Sequence, residues 1–141
     1  MTGKPLSADA KLAAAKEMAD AWRDRDWRKV GDLFAEDGVL HSMMVEPVAG
    51  REQIYARIAA MGKGIERILL DISHMGVIDG RVYMERVDRF VYKGHEGAVP
   101  VVGVISYNDD GLISEWREYY DRASLLREMG LSGDFDHETR E

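Results

Sequence analysis

Two carboxylates and one arginine are spaced along this chain so that they can meet inside a pocket. Arg86 and Asp88 stand in Glu85-Arg86-Val87-Asp88-Arg89-Phe90, and Glu118 stands in Trp116-Arg117-Glu118-Tyr119-Tyr120-Asp121. Both segments read as strands, in which alternate residues point to one face. Val82, Met84, Arg86, Asp88 and Phe90 then share a face, as do Leu112, Trp116, Glu118 and Tyr120. Each face is mostly apolar and should look into a core. Burying a charge costs several kcal/mol unless it is paired and hydrogen-bonded. An arginine bridging two carboxylates in an apolar pocket can split acid and base roles between two similar groups. A purely structural ion-pair network, or a wetter sheet face, is the plainer alternative.

Other residues carry weaker signals. His41 lies among Val39, Leu40, Ser42 and Met43 on an extended segment; histidine can act as a base near neutrality, although a lone strand histidine is usually structural. His74, His95 and His137 fall in different elements without ligand spacing, so no metal site is expected. Trp116 and Phe90 fit a core or a pocket wall. Met43, Met44, Met61, Met75 and Met84 suit a core, and flexible thioethers would also suit a bulky apolar ligand. Gly76, Gly80, Gly94 and Gly97 read as turns rather than a phosphate loop, and no nucleophile-elbow serine stands with a histidine and an aspartate. Covalent hydrolase and nucleotide-dependent chemistries are set aside, and no cofactor is expected.

The elements that must position these groups follow from hydrophobic period. Residues 7–24 read as a helix capped by Ser7, with Leu12, Ala15, Met18, Ala19 and Trp22 at helical spacing. Asp26 can cap a second short helix holding Val30, Leu33 and Phe34, which Glu36-Asp37-Gly38 ends. Val39 to Val45 looks extended, and a helix over 51–62 carries Ile54, Ile58 and Met61 before Gly62 and Gly64 stop it. Period-two strands follow at 65–78, 81–93, 98–108 and 111–121, joined by Asp79-Gly80, by Lys93 to Gly97, and by Asn108 to Gly111. A short helix near 122–129 closes the pattern. Helices first, then a meander, predict an α+β architecture with helices on one face of a curved sheet.

Composition bounds the function from the other side. The 141 residues are 45% hydrophobic and 32% charged, as expected of one folded domain spanning 1–141, with 130–141 as a loose polar tail. A net charge of −7 argues against nucleic acid or an anionic membrane as the main partner. Cysteine is absent, which excludes disulfides, thiolate metal ligands and a thiol nucleophile. The opening residues lack the apolar run of a secretory signal, and no stretch approaches the ~20 apolar residues of a membrane span. A cytoplasmic location is the expectation.

The order of elements, with the charged strand pair, resembles the cone-shaped fold of the nuclear-transport-factor-2 and ketosteroid-isomerase superfamily, which includes SnoaL-like proteins. Within it the chain is most similar to limonene-1,2-epoxide hydrolases, whose signature is a Glu-Arg-x-Asp strand followed by Trp-Arg-Asp-Tyr-Phe-Asp. The matching residues are Glu85-Arg86-Val87-Asp88, Gly103-Val104, Gly111-Leu112-Ile113 and Trp116 to Asp121, with Leu33 to Asp37 and Pro47 to Arg51 upstream. The resemblance spans roughly residues 10–128 and implies a curved mixed or antiparallel sheet, an internal pocket, and one-step epoxide hydrolysis without a covalent intermediate. Asp88 would be the acid, Glu118 the base and Arg86 the bridge.

The chain departs from that family at two places. Glu118 stands where the family has an aspartate, and Leu40 and Ser42 stand where a tyrosine and an asparagine hold the water. The water site is therefore altered or absent. Leu40, Ser42, Met84, Phe90, Trp116 and Tyr120 are the expected substrate or water contacts, in a cavity walled by Met84, Phe90, Leu112 and Trp116. A small apolar molecule, such as a cyclic epoxide, is the expected partner. The rival functions are a proton-transfer isomerase or cyclase using Asp88, Glu118 or His41 as base, and a binding domain without catalysis. The opposite sheet face, carrying Tyr83, Val87, Val91, Ile113 and Tyr119, is apolar enough to predict a homodimer.

Overall fold

Ser7 starts the first helix as expected: its hydroxyl accepts from the Ala10 N–H at 3.1 Å. A computed structural model describes residues 6–131, so His137 and nearly all of the 130–141 tail lie outside the described residues. Helix α1 (Ala8–Arg23) buries Ala15, Met18 and Ala21, three positions apart, on one stripe. Asp26 caps α2 (Trp27–Asp32) by accepting from the Lys29 N–H.

The chain then turns earlier than its sequence suggests. Strand β1 (Phe34–Ser42) starts at Phe34, which was expected within the helix. Glu36, Asp37 and Gly38 fall in a break of pairing register between Phe34 and Val39, rather than in a loop. A Cβ on Gly38 would stand 2.8 Å from the Ile113 carbonyl oxygen, so the strand can pass there only as glycine. A two-residue β2 (Val48–Ala49) pairs back on β1, and α3 (Arg51–Gly62) follows, burying Ile54 and Ile58.

Three long strands come next: β3 (Ile65–Ile78), β4 (Arg81–Tyr92) and β5 (His95–Tyr107). Asp79-Gly80 joins the first two with φ of 51° and 77°, and Lys93-Gly94 joins the second pair with φ of 47° and 84°. Paired left-handed residues are what a two-residue hairpin in a right-twisted sheet requires. The second turn therefore needs only two residues, and β5 begins at His95 instead of beyond Gly97. Strand β6 (Ile113–Tyr119) and α4 (Arg122–Glu128) complete the described chain.

The sheet has six strands in the order β2-β1-β6-β5-β4-β3. All pairs are antiparallel except β1 with β6, which run parallel, so the sheet is mixed. A register shift between Ser106 and Tyr107 changes the phase of β6. Ile113, 1% exposed, therefore joins Trp116 in the core. Two expectations fail for that one reason: Leu112 does not reach the cavity face, and Ile113 does not lie on the outer face.

The interior divides in two. The larger cluster packs Met18, Phe34, Met84, Ile105 and Trp116 between α1 and the sheet. The smaller gathers Phe90, Val99 and Val101 against Tyr120, Leu125 and Met129. Arg86, at 3% exposure, is the one buried charged residue among those described. No helix among the described residues is long and apolar enough to cross a membrane.

Candidate active site

Strand register explains how three ionisable groups meet. Arg86 lies opposite Val101 across β4–β5, while Glu118 lies opposite Gly103 across β5–β6. The two charged strands are thus not neighbours, and β5 runs between them. The guanidinium crosses β5 over Gly103, where no side chain intervenes. A Cβ on Gly103 would stand 2.6 Å from Arg86 Nη1 and 2.8 Å from Glu118 Oε2. Glycine inside a strand often marks such a close approach, and that signal was present in the Gly103-Val104 pair although its role was not read from it.

The resulting network uses the whole guanidinium fork. Arg86 Nε donates to Asp88 Oδ1 at 2.7 Å and Nη2 donates to Oδ2 at 3.1 Å. Nη1 donates to Glu118 Oε2 at 3.0 Å, and Nη2 also donates to Glu118 Oε1. Both carboxylates are held in parallel two-point contacts, the geometry for which an arginine is suited. Beneath it the Trp116 ring centre lies 5.7 Å from the Arg86 Cζ, and Trp116 itself stacks on Phe34.

Electrostatics in this corner are strongly biased. Burial disfavours the Arg86 cation, but the charges and hydrogen bonds of Glu118 and Asp88 outweigh it and raise its pKa. Burial pushes the Glu118 carboxyl above its ordinary value, against the opposing pull of Arg86. The Trp116 indole N–H favours the ionised Glu118, yet it is buried without a partner in hydrogen-bond geometry.

A cavity of about 390 Å³ opens over the network, and Arg86, Asp88 and Glu118 all line it. Leu70, Phe90, Val99, Val101 and Leu125 form apolar wall, and Trp22 and Ile58 contribute from the helices. A larger depression of about 730 Å³, touching Arg67, Arg89 and Glu128, contains none of the three groups and is the less chemically organised of the two.

The structure sorts the residues named from sequence. Leu40, Ser42, Phe90 and Tyr120 line the cavity with the charged network. Met84 and Trp116 do not: each is 1% exposed and belongs to the core below, because the sheet's inner face serves the core at one end and the cavity at the other. His41 does not line the cavity either. Leu40 and Ser42 face inward, so alternation turns His41 away, in register with Arg117. Ser42 pairs in register with Glu118, and its hydroxyl hydrogen-bonds the Tyr120 hydroxyl. Sequence alignment along one strand could not find that pair, since its members lie 78 residues apart. The walls from α3 and α4 were also missed, although Leu125 and Met129 carry an i, i+4 signal. Among the described residues no group of three or more His, Cys, Asp or Glu is arranged to hold a metal ion.

Helices covering one face of a curved, unclosed mixed sheet, with a ligand-sized cavity between, define the ketosteroid-isomerase-like fold class. The chain belongs to the SnoaL-like domain family, whose model matches residues 15–116. Among solved structures it is similar to a hypothetical protein with a ketosteroid isomerase-like fold from Catenulispora acidiphila, in complex with trimethylamine. That match has 27% identity and a TM-score of 0.76, covering 86% of this chain and 95% of the other. It is also similar to an LEH-like epoxide hydrolase from M. tuberculosis, at 19% identity and TM-score 0.76, over 95% of this chain and 98% of that one. A third, provisionally described as a SnoaL-like polyketide cyclase from Shewanella denitrificans, has 15% identity and TM-score 0.76, covering 85% and 96%. At these identities the last two speak for the fold alone.

Proposed function

We propose that this protein is a cofactor-independent epoxide hydrolase that adds water to a small apolar or cyclic epoxide in one step. One observation carries the reading: a buried guanidinium holds two carboxylates side by side at an otherwise largely apolar cavity. With both carboxylates ionised the trio has net charge −1, and one shared proton makes it neutral, the cheaper state away from bulk water. One proton on two carboxylates is also what the reaction needs.

The ionised Glu118 takes a proton from water while the water oxygen attacks an epoxide carbon. The C–O bond breaks, and Asp88 gives its proton to the departing oxygen. A vicinal diol leaves with the shared proton on Glu118, the carboxyl that burial raises, and its passage to Asp88 readies the site for the next turnover. Burial makes Glu118 a stronger base than a free glutamate, and a positioned acid and base can each contribute roughly 10²–10⁴-fold. The hydroxyls of Ser42 and Tyr120 stand in for the tyrosine and asparagine that hold water in the limonene-epoxide-hydrolase pattern. The LEH-like neighbour supports a fold able to carry this reaction.

The raised Glu118 carboxyl also favours a second reading, a proton-transfer isomerase or cyclase in which it abstracts a carbon-bound proton. The cyclase-like neighbour shares that fold. The trimethylamine complex of another neighbour keeps ligand binding without turnover as the third. A panel of cyclic and aliphatic epoxides in ¹⁸O-water separates them. Singly labelled diol is expected from the wild type, with Asp88→Asn and Glu118→Gln each losing at least about 100-fold. The double variant should lose little more, because the groups act as one unit. No diol from any epoxide would remove the hydrolase reading, and deuterium exchange into an enolisable ketone would install the second. The protein is also proposed to work as a homodimer through the outer face of the sheet.

A further inference from the structure

The cavity wall carries a cation that the proposed chemistry does not use. Arg57 lies on α3 beside Ile58 and Met61, is exposed, and lines the same cavity as the Arg86 network. Its helical neighbours at three and four residues, Gln53, Ile54, Ala60 and Met61, include no carboxylate. Among the described residues it has no ion-pair or hydrogen-bond partner. Three other exposed arginines are satisfied at home, Arg28 by Asp32 and Glu52, Arg23 by Asp20 and Asp24, and Arg89 by Asp71, whereas Arg67, exposed and likewise unpaired among the described residues, lies outside this cavity.

Placement gives this cation a direction. Glu46, Arg57, Met61 and Leu131 are exposed lining residues, so they mark the cavity's opening, whereas Arg86 is sealed at its other end. Four of the five Arg86 N–H donors are committed to Asp88 and Glu118, so a ligand anion at depth meets two carboxylates. Arg122 at the start of α4 and Glu46 from the segment after β1 also line the cavity. Arg57 is thus an unpaired guanidinium at the opening of a protein whose net charge is −7.

We propose that the cavity takes an amphipathic monoanion: an apolar chain or ring lies against Leu70, Phe90, Val99 and Leu125, and a carboxylate sits at the opening on Arg57. This rests on reading the cavity as the substrate site and narrows the substrate to an apolar epoxide bearing a carboxylate. An exposed guanidinium contributes modestly, and the anion should gain about fivefold in affinity. The contact should weaken with salt.

Calorimetry with decanoate, decanol and decyltrimethylammonium tests binding without any turnover. Decanoate is expected to bind about fivefold more tightly than decanol at low salt. Arg57→Gln should erase that difference and Arg57→Lys should keep most of it, with decanol affinity unchanged in both. Equal binding of decanoate and decanol, tighter binding of the ammonium, an unaltered preference in Arg57→Gln, or no binding of any probe would each overturn the proposal. A second arm compares a carboxylate-bearing epoxide with its methyl ester. Hydrolysis of both at one kcat/KM defeats the monoanion and leaves the hydrolase standing. A decanoate preference that depends on Arg57, without hydrolysis of either, supports the monoanion and defeats the hydrolase.

Discussion

At the scale of single residues the site turns on an arginine and a glycine. Arg86 can reach Glu118 only because position 103 has no side chain. Gly103→Ala would place a methyl group at less than contact distance from both charged groups, so the Arg86 or Glu118 side chain must shift and the contact between them is strained. Breaking a buried ion pair costs about 3–5 kcal/mol when a partner is left uncompensated. A loss near the lower end of that range is expected from urea unfolding, with loss of any activity that needs the trio. A variant of wild-type stability would mean that the guanidinium has another way across β5. Glu118 supplies a pH test. Its carboxyl is raised by burial from an ordinary 4.5. Between that value and the raised one, the folded protein holds a proton that the unfolded chain has released. Folding stability from this group therefore falls as pH rises through the window. Urea midpoints between pH 5 and pH 8 should decline less steeply for Glu118→Gln than for the wild type. Equal slopes would show that Glu118 is not the group responsible.

Among the elements, the hairpins were the most legible and the strand neighbours the least. Asp79-Gly80 and Lys93-Gly94 announce turns, and each adopts two consecutive left-handed residues. Gly94 has open space around a hypothetical Cβ but a φ of 84°, so Gly94→Ala isolates backbone strain from packing. A destabilisation of about 1 kcal/mol is expected from thermal or urea unfolding. A neutral effect would mean that the β4–β5 turn can adopt another form. By contrast, the pairing of β1 with β6 joins residues far apart in sequence and in parallel. That pairing sets Ser42 beside Glu118 and the Tyr120 hydroxyl on Ser42. Counting along β1 alone suggested that the water site had been altered or lost; the neighbouring strand brings a second hydroxyl, that of Tyr120, beside Ser42.

For the whole molecule, the sheet's outer face is the surface still to be explained. Val87 stands opposite Pro100, and Val102 lies between Glu85 and Tyr119. Val102 and Tyr119 are 38% and 41% exposed. Joined with Tyr83, these residues make an apolar stretch suited to a two-fold contact between copies. Sedimentation of the wild type at micromolar concentration should give a dimer, and Val102→Glu should shift it toward monomer without loss of secondary structure. A wild-type monomer would remove the assembly proposal and leave the cavity unaffected.

Local signals alone determined a good deal here. Helical caps at Ser7 and Asp26, the periods of 3.6 and 2, and the two left-handed turns act over a few residues, so sequence carries them directly. The shared inward face of Arg86 and Asp88 is equally local, because it follows from alternation within one strand. Tertiary structure alone decided what lies across strands. It routed Arg86 over Gly103 to Glu118, shifted β6 by a register break so that Ile113 faced inward, and turned His41 away from the cavity. It also separated Met84 and Trp116, sealed in the core, from Phe90 and Tyr120, which border open space. The physical reason is that alternation specifies a face, whereas the partner on the next strand and the gap left by the packed helices depend on contacts distant in sequence.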